Sequence, residues 1–109
     1  MTHLSLPEPI AAYFDADRRG AAAVAGCFTK QAVVRDEGQT YTGLAAIEAW
    51  KTSASATYTY TVEPLRLERK DGRHVVTGRV SGNFPGSPVE LRYVFELEHR
   101  KISFLEIKP

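Results

Sequence analysis

The sequence holds a single cysteine, Cys27, so no disulfide can form within the chain. This excludes the disulfide-stapled scaffolds of small secreted domains and makes a reducing, cytoplasmic compartment the simplest expectation. Charge of one sign is equally lacking. Fourteen Lys and Arg against 13 Asp and Glu give a formal net charge of +1, with no electrostatic footprint of a nucleic-acid binder. No apolar run is long enough to span a bilayer. Met1 to Pro7 carry no basic region followed by an apolar stretch, so neither a membrane partner nor a signal peptide is expected. Histidines are few: His3, His74 and His99 stand at a terminus, a strand start and a turn, with no spacing for a shared metal. Gly20, Gly26, Gly38 and Gly43 do not compose a phosphate loop. No metal, nucleotide or flavin cofactor is therefore expected. What is present is 109 residues, 43% hydrophobic and 25% charged, enough for one core and too few for a second. Residues 1–109 read as a single domain.

The order of elements follows from the apolar spacing. Ser5, Pro7 and Glu8 resemble a helix start with Ser5 as cap, and Leu6, Ile10, Tyr13 and Phe14 then recur at helical spacing. Arg18, Arg19 and Gly20 end that helix. Ala21 to Phe28 reads as a second short helix. Ala32 to Asp36 is a short strand, Glu37 to Gln39 a turn, and Thr40 to Thr42 a strand pairing back. Gly43 opens a third helix with Leu44, Ile47 and Trp50 on one face. Tyr58 to Val62 alternates as a strand, and Pro64 marks a bulge or an edge. Asp71-Gly72 is a hairpin turn. His74 to Phe84, the alternating run around Leu91 to Leu97, and Ile102 to Ile107 complete four long strands. Helices first and strands second predict an α+β fold, with three N-terminal helices packed on a strongly curved antiparallel sheet.

Three stretches carry a resemblance to a known family: Ile10 to Phe14 leading to Gly20, Phe28 to Asp36, and Tyr41 to Ile47. The Tyr93-Val94-Phe95 strand and the final Ile102 to Ile107 strand fit as well. Together they resemble the nuclear-transport-factor-2-like superfamily, with its cystatin-like cone, and within it the SnoaL-like polyketide cyclase and ketosteroid isomerase branch. The resemblance runs from about Leu6 to Ile107. It departs at Ala21, where an acidic cap is usual, at Lys30-Gln31, where an acidic pair is usual, and at His99-Arg100, where the last hairpin usually turns on Asp-Gly.

The resemblance implies chemistry at three positions. Asp36 stands where the isomerase branch carries its general-base aspartate, suited to moving a proton next to a carbonyl. The other role for an aspartate there is to accept backbone hydrogen bonds in the turn it opens. Tyr13 aligns with the oxyanion-hole tyrosine; on spacing alone it is also an ordinary core aromatic with its hydroxyl at the rim. At the branch's protonated aspartate stands Tyr93, a hydrogen-bond donor without a carboxyl, which argues against steroid isomerisation. Phe28, Trp50, Tyr58, Tyr60, Phe84 and Phe95 are candidates to line an apolar pocket, or simply to pack the core. Arg79 and Arg92 fall on the outer sheet face by alternation, Glu106 reads as solvated or paired, and Cys27 has no histidine partner that would make it a nucleophile. Two functions follow as expectations. One is a cofactor-free isomerase, cyclase or dehydratase acting on a small apolar carbonyl compound through Asp36, with Tyr13 or Tyr93 as donor. The other is a ligand-binding or assembly module without turnover. A homodimer through the outer sheet face is expected in either case.

Overall fold

The computed structural model describes residues 4–109; Met1, Thr2 and His3, the start of the N-terminal stretch read for a signal peptide, lie outside the described residues. The elements are α1 (Glu8–Asp17), α2 (Ala21–Ala25), β1 (Phe28–Asp36), β2 (Gln39–Thr42), α3 (Leu44–Thr57), β3 (Tyr60–Lys70), β4 (Arg73–Gly82), β5 (Val89–Glu98) and β6 (Lys101–Lys108). The strands form one six-stranded sheet in the order β2-β1-β6-β5-β4-β3. Among the described residues no helix is long and apolar enough to cross a membrane.

The α+β architecture is as the sequence implies, with one parallel pairing inside the otherwise antiparallel sheet. The β3 to β6 meander returns its last strand beside β1, running the same way. Ile10, Tyr13 and Phe14 of α1, Ile47 and Trp50 of α3 and the inward residues of the sheet close a common core. On the opposite face, Thr77 and Val94 are only 5% and 6% exposed.

Several boundaries differ from the sequence reading. Ser5 does not cap α1. Pro7 occupies that position, its carbonyl accepting from the Ile10 and Ala11 amides, both at 3.0 Å, and its missing N–H costs nothing there. The second helix ends at Ala25, with Gly26 as its cap. Cys27 and Phe28 are claimed by the sheet instead, because the Cys27 carbonyl accepts from Ile102 N at 2.9 Å and Phe28 pairs with Ile102. β1 therefore starts four residues before Ala32. Tyr58 lies outside β3 as the extended cap of α3, and Thr59 bonds Asn83 rather than the ladder. β4 stops at Gly82, whose amide turns to the Ser87 hydroxyl at 2.8 Å, so Phe84 leaves the strand. Pro64 does mark both a bulge and an edge: β3 is one of the sheet's two edge strands, and its register shifts between Pro64 and Arg66.

Candidate active site

Sheet register decides which side chains meet. Asp36 pairs with Ile107, Ile107 with Tyr93, and Tyr93 with Val76, so these four form one inward row. Adjacent strands lie about 4.8 Å apart, which sets Asp36 and Tyr93 roughly 10 Å from each other across Ile107. The next row is Val34, Leu105, Phe95 and His74. Its first three members are fully buried. The first row opens on a cavity of about 520 Å³ between α1, α3 and the sheet, of the size that takes a small organic ligand. Seven aromatic side chains line it: Tyr13, Tyr41, Trp50, Tyr58, Tyr60, Phe84 and Tyr93.

Asp36 ends β1 and faces this cavity. Its Oδ2 accepts the indole N–H of Trp50 at 3.0 Å. Among the described residues no turn backbone amide bonds this carboxylate, so its orientation comes from α3 rather than from the Glu37-Gly38 turn.

The most polar contact of the interior was not foreseen. Lys51 Nζ lies 2.7 Å from Asp17 Oδ1, with the two side chains only 4% and 8% exposed. The same ammonium donates to the Tyr60 hydroxyl at 2.9 Å, and that hydroxyl donates to Asp17 Oδ1 at 3.4 Å. Nζ also sits 4.3 Å from the centroid of the Trp50 ring, 5.5 Å from that of Tyr60 and 5.9 Å from that of Tyr13. Burial disfavours the charge on Lys51, but Asp17 and Tyr60 outweigh it, and the lysine is held protonated above its ordinary range. Asp17 is the last residue of α1, where a negative charge opposes the helix dipole. Its partner on α3 supplies the compensation.

The phenols are kept neutral. Burial, reinforced by Asp17, pushes Tyr13 far above the usual tyrosine range and does the same for Tyr93. Tyr60 is raised by burial too, although Lys51 opposes the shift. Two glycines of β4 stand close to these residues, Gly78 against the Tyr93 ring and Gly82 against the backbone that carries Tyr60. A methyl group on Gly78 would stand 3.2 Å from Tyr93 Cε1, and one on Gly82 would stand 2.8 Å from Tyr60 Cβ. A side chain at Gly78 would press on both Val62 and Tyr93, and one at Gly82 would collide first with the Thr59 carbonyl and then with the Tyr60 backbone.

Of the residues singled out from sequence, Tyr13, Asp36, Trp50, Tyr58, Tyr60, Phe84 and Tyr93 line this same cavity. Phe28 and Phe95 do not, which corrects their assignment to the pocket. Phe28 begins β1 while Asp36 ends it, roughly 25 Å further along an extended strand. Phe95 belongs to the row beneath Tyr93. Both rings instead pack edge-on against Tyr13, at centroid distances of 6.0 and 5.7 Å. Tyr13 is only 1% exposed, so its hydroxyl lies at the cavity wall and not at the rim. Arg79 and Arg92 are on the outer face, Arg79 near Glu63 at 4.0 Å and Arg92 donating to the Pro109 carbonyl at 2.9 Å. Burial raises the Cys27 thiol, the reverse of what activates a nucleophile. Among the described residues no group of three or more His, Cys, Asp or Glu is placed to hold a metal.

Three helices over a bent meander, enclosing an aromatic cavity with a carboxylate at a strand end, define the class of small cone-shaped α+β cavity proteins. The model of the SnoaL-like domain matches residues 10–103, and the chain belongs to that family. It is similar to a provisionally named polyketide cyclase from Sinorhizobium meliloti, with 39% identity, 94% of this chain and 95% of that one covered, and a TM-score of 0.89. The fold is shared with a Catenulispora acidiphila protein of ketosteroid isomerase-like fold, solved with trimethylamine, at 18% identity, 96% and 87% coverage and a TM-score of 0.83. It is shared too with the epoxide hydrolase/cyclase-like enzyme SalBIII of pyran ring formation in salinomycin, at 20% identity, 93% and 87% coverage and a TM-score of 0.76. No curated protein matches the chain.

Proposed function

We propose that the protein is a cofactor-free isomerase or cyclase that moves a proton on a small, largely apolar carbonyl compound, with Asp36 as the base. The observation that carries this reading is the Asp36 carboxylate, oriented by the Trp50 indole at 3.0 Å and facing an aromatic cavity that also holds the Tyr13 and Tyr93 phenols. Asp36 takes a proton from the carbon next to the carbonyl. The C–H electron pair becomes the enolate double bond, and the carbonyl oxygen takes the negative charge, accepting a hydrogen bond from Tyr13 or Tyr93. Return of the proton to another carbon completes an isomerisation. If the enolate carbon attacks a second carbonyl instead, a ring closes and the new alkoxide takes the proton back from Asp36. The name of the Sinorhizobium meliloti relative supports the cyclase outcome.

The test is proton exchange. Enolisable cyclic ketones and diketones are incubated in heavy water with the protein, and loss of the α-proton signal is followed by NMR. Exchange above the buffer rate that disappears in Asp36→Asn supports the reading. Equal exchange by the variant removes Asp36 from the mechanism, and binding without exchange favours the ligand-binding module. The absence of a carboxyl at Tyr93 is the feature that keeps this second function in view.

A homodimer through the outer sheet face is part of the proposal. That face presents Arg79, Ser81 and Arg92 around the buried Thr77 and Val94, a mixed surface suited to a two-fold contact. Sedimentation at micromolar concentration should give twice the chain mass, and Arg92→Glu should dissociate it. A species of one chain's mass would dismiss the dimer. The lone Cys27 is in keeping with a cytoplasmic location.

A further inference from the structure

We propose that Lys51 is a second catalytic residue, the cation on which the substrate's developing oxyanion rests, and that the site therefore selects compounds whose oxygen becomes anionic in the reaction. This deepens the proton-transfer reading above and rests on it.

The geometry supplies the argument. An ammonium has three N–H donors. One is directed to Asp17 at 2.7 Å and one to Tyr60 at 2.9 Å; the third has no oxygen or nitrogen acceptor among the described residues and has the ring face of Trp50 beside it. Lys51 lines the cavity and Asp17 does not. Of the ion pair, the lysine is therefore the member that a ligand in the cavity meets. Its position relative to the base is set by one side chain: Trp50 gives its N–H edge to Asp36 and its ring face to Lys51 Nζ at 4.3 Å. Base and cation therefore both contact a single indole, Asp36 at its N–H edge and Lys51 over its face, and both residues line the same cavity. A preorganised charge in a dry site stabilises an oxyanion more than neutral phenols do. The phenols here are themselves set against carrying negative charge, since burial and Asp17 raise both Tyr13 and Tyr93. The same ion pair argues against a covalent role, because a lysine held protonated is a poor nucleophile for a carbonyl. Asp17 acts as a positioning residue: it holds Nζ in place and makes the buried charge tolerable.

The experiment is binding of 4-nitrophenol, whose ionised form imitates an enolate and is visible by its absorbance. It is carried out on Asp36→Asn protein, in which the neutral amide imitates the base after it has taken the proton. The expected result is uptake of the phenolate at a pH where the free probe is largely neutral, with affinity at least tenfold above that of the same protein carrying Asp17→Asn and Lys51→Met together. The paired change removes both buried charges and so leaves no unpaired ion. Equal affinity in the two proteins, or uptake of the neutral phenol alone, overturns the proposal. Should the combined variant not fold, the ¹⁵N resonance of the Lys51 ammonium in the Asp36→Asn protein decides: it shifts on saturation with the phenolate if the proposal holds, and an unmoved resonance refutes it. Because the probe undergoes no reaction, phenolate binding on Lys51 without ketone exchange in the unmodified protein would count against Asp36 as base and not against Lys51. Exchange without phenolate binding would count the other way.

Discussion

The Trp50 indole donates to Asp36 across 3.0 Å, joining the third helix to the end of the first strand. A carboxylate on a strand end next to a turn has rotational freedom. Here a rigid ring from a buried helical position removes it. Trp50→Phe keeps an aromatic ring, though a smaller one, and deletes the donor. We expect ketone exchange to fall about 10- to 100-fold, the scale for a misplaced catalytic group, mainly in kcat rather than KM. A variant with unchanged kcat would show that Asp36 needs no such restraint.

Trp50 is also the chain's only tryptophan and lines the cavity. Its emission should change in titrations with cyclic ketones or nitrophenol, and Asp36→Asn should retain that response while losing exchange. Ligands that bind without altering the emission would have to lie outside this cavity.

The Lys51–Asp17 pair makes a prediction about stability. Lys51→Met leaves a buried carboxylate without its partner, which costs about 3–5 kcal/mol. Adding Asp17→Asn should restore most of the loss, bringing the double variant to within about 1–2 kcal/mol of the parent. Urea unfolding of the three proteins checks this. Additive losses would mean that the two side chains are not coupled.

Much of this arrangement was legible in the sequence. Alternation in β4 and β5 fixed which residues face inward, and the end of the first strand placed Asp36. What escaped was charge. Lys51 is four residues after Ile47 and Asp17 four after Tyr13, so both lie on the apolar stripes of their helices. The signal was present, but a single charge on a stripe is commonly a snorkelling side chain. Only the fold, which brings the last residue of α1 to Lys51 of α3, shows that these two opposite charges meet. Phe28 and Phe95 were misassigned for a related reason. Inward direction is readable from period two, but depth along the strand, which separates cavity from core, is not.

Alkaline pH should unfold the protein steeply. Lys51, Tyr13, Tyr60 and Tyr93 all hold their protons to higher pH in the fold than ordinary groups do. The unfolded chain releases these protons near their usual values, about pH 10. Above that point the native state binds more protons than the unfolded one, so stability is complete below about pH 10 and declines as pH rises toward the folded values. The check is to follow phenolate absorbance and far-ultraviolet circular dichroism together. Ionisation of the buried phenols should coincide with loss of the fold. If all the tyrosines ionise while the dichroism stays native, the cavity tyrosines are not protected as described.

The last hairpin offers a stabilising change. Three hairpin turns of the sheet share a backbone with two successive positive φ values: Glu37-Gly38 at 52° and 78°, Asp71-Gly72 at 53° and 77°, and His99-Arg100 at 50° and 66°. This is the two-residue turn whose twist suits the flanking strands, and it favours Asn or Asp followed by Gly. The first two turns place glycine second. The third has none, and an L-residue with a side chain is strained in the left-handed region. Both His99 and Arg100 are exposed, so little packing is lost on replacing them. Combining His99→Asn with Arg100→Gly removes the strain. Part of the gain is offset by the greater freedom of glycine in the unfolded chain. A net stabilisation of about 1 kcal/mol remains, which corresponds to a Tm roughly 5 °C higher for a domain of this size. Calorimetry of parent and double variant measures it directly. A Tm that stays level or drops would mean that His99 and Arg100 are not strained in this turn, or that they make contacts outweighing the strain.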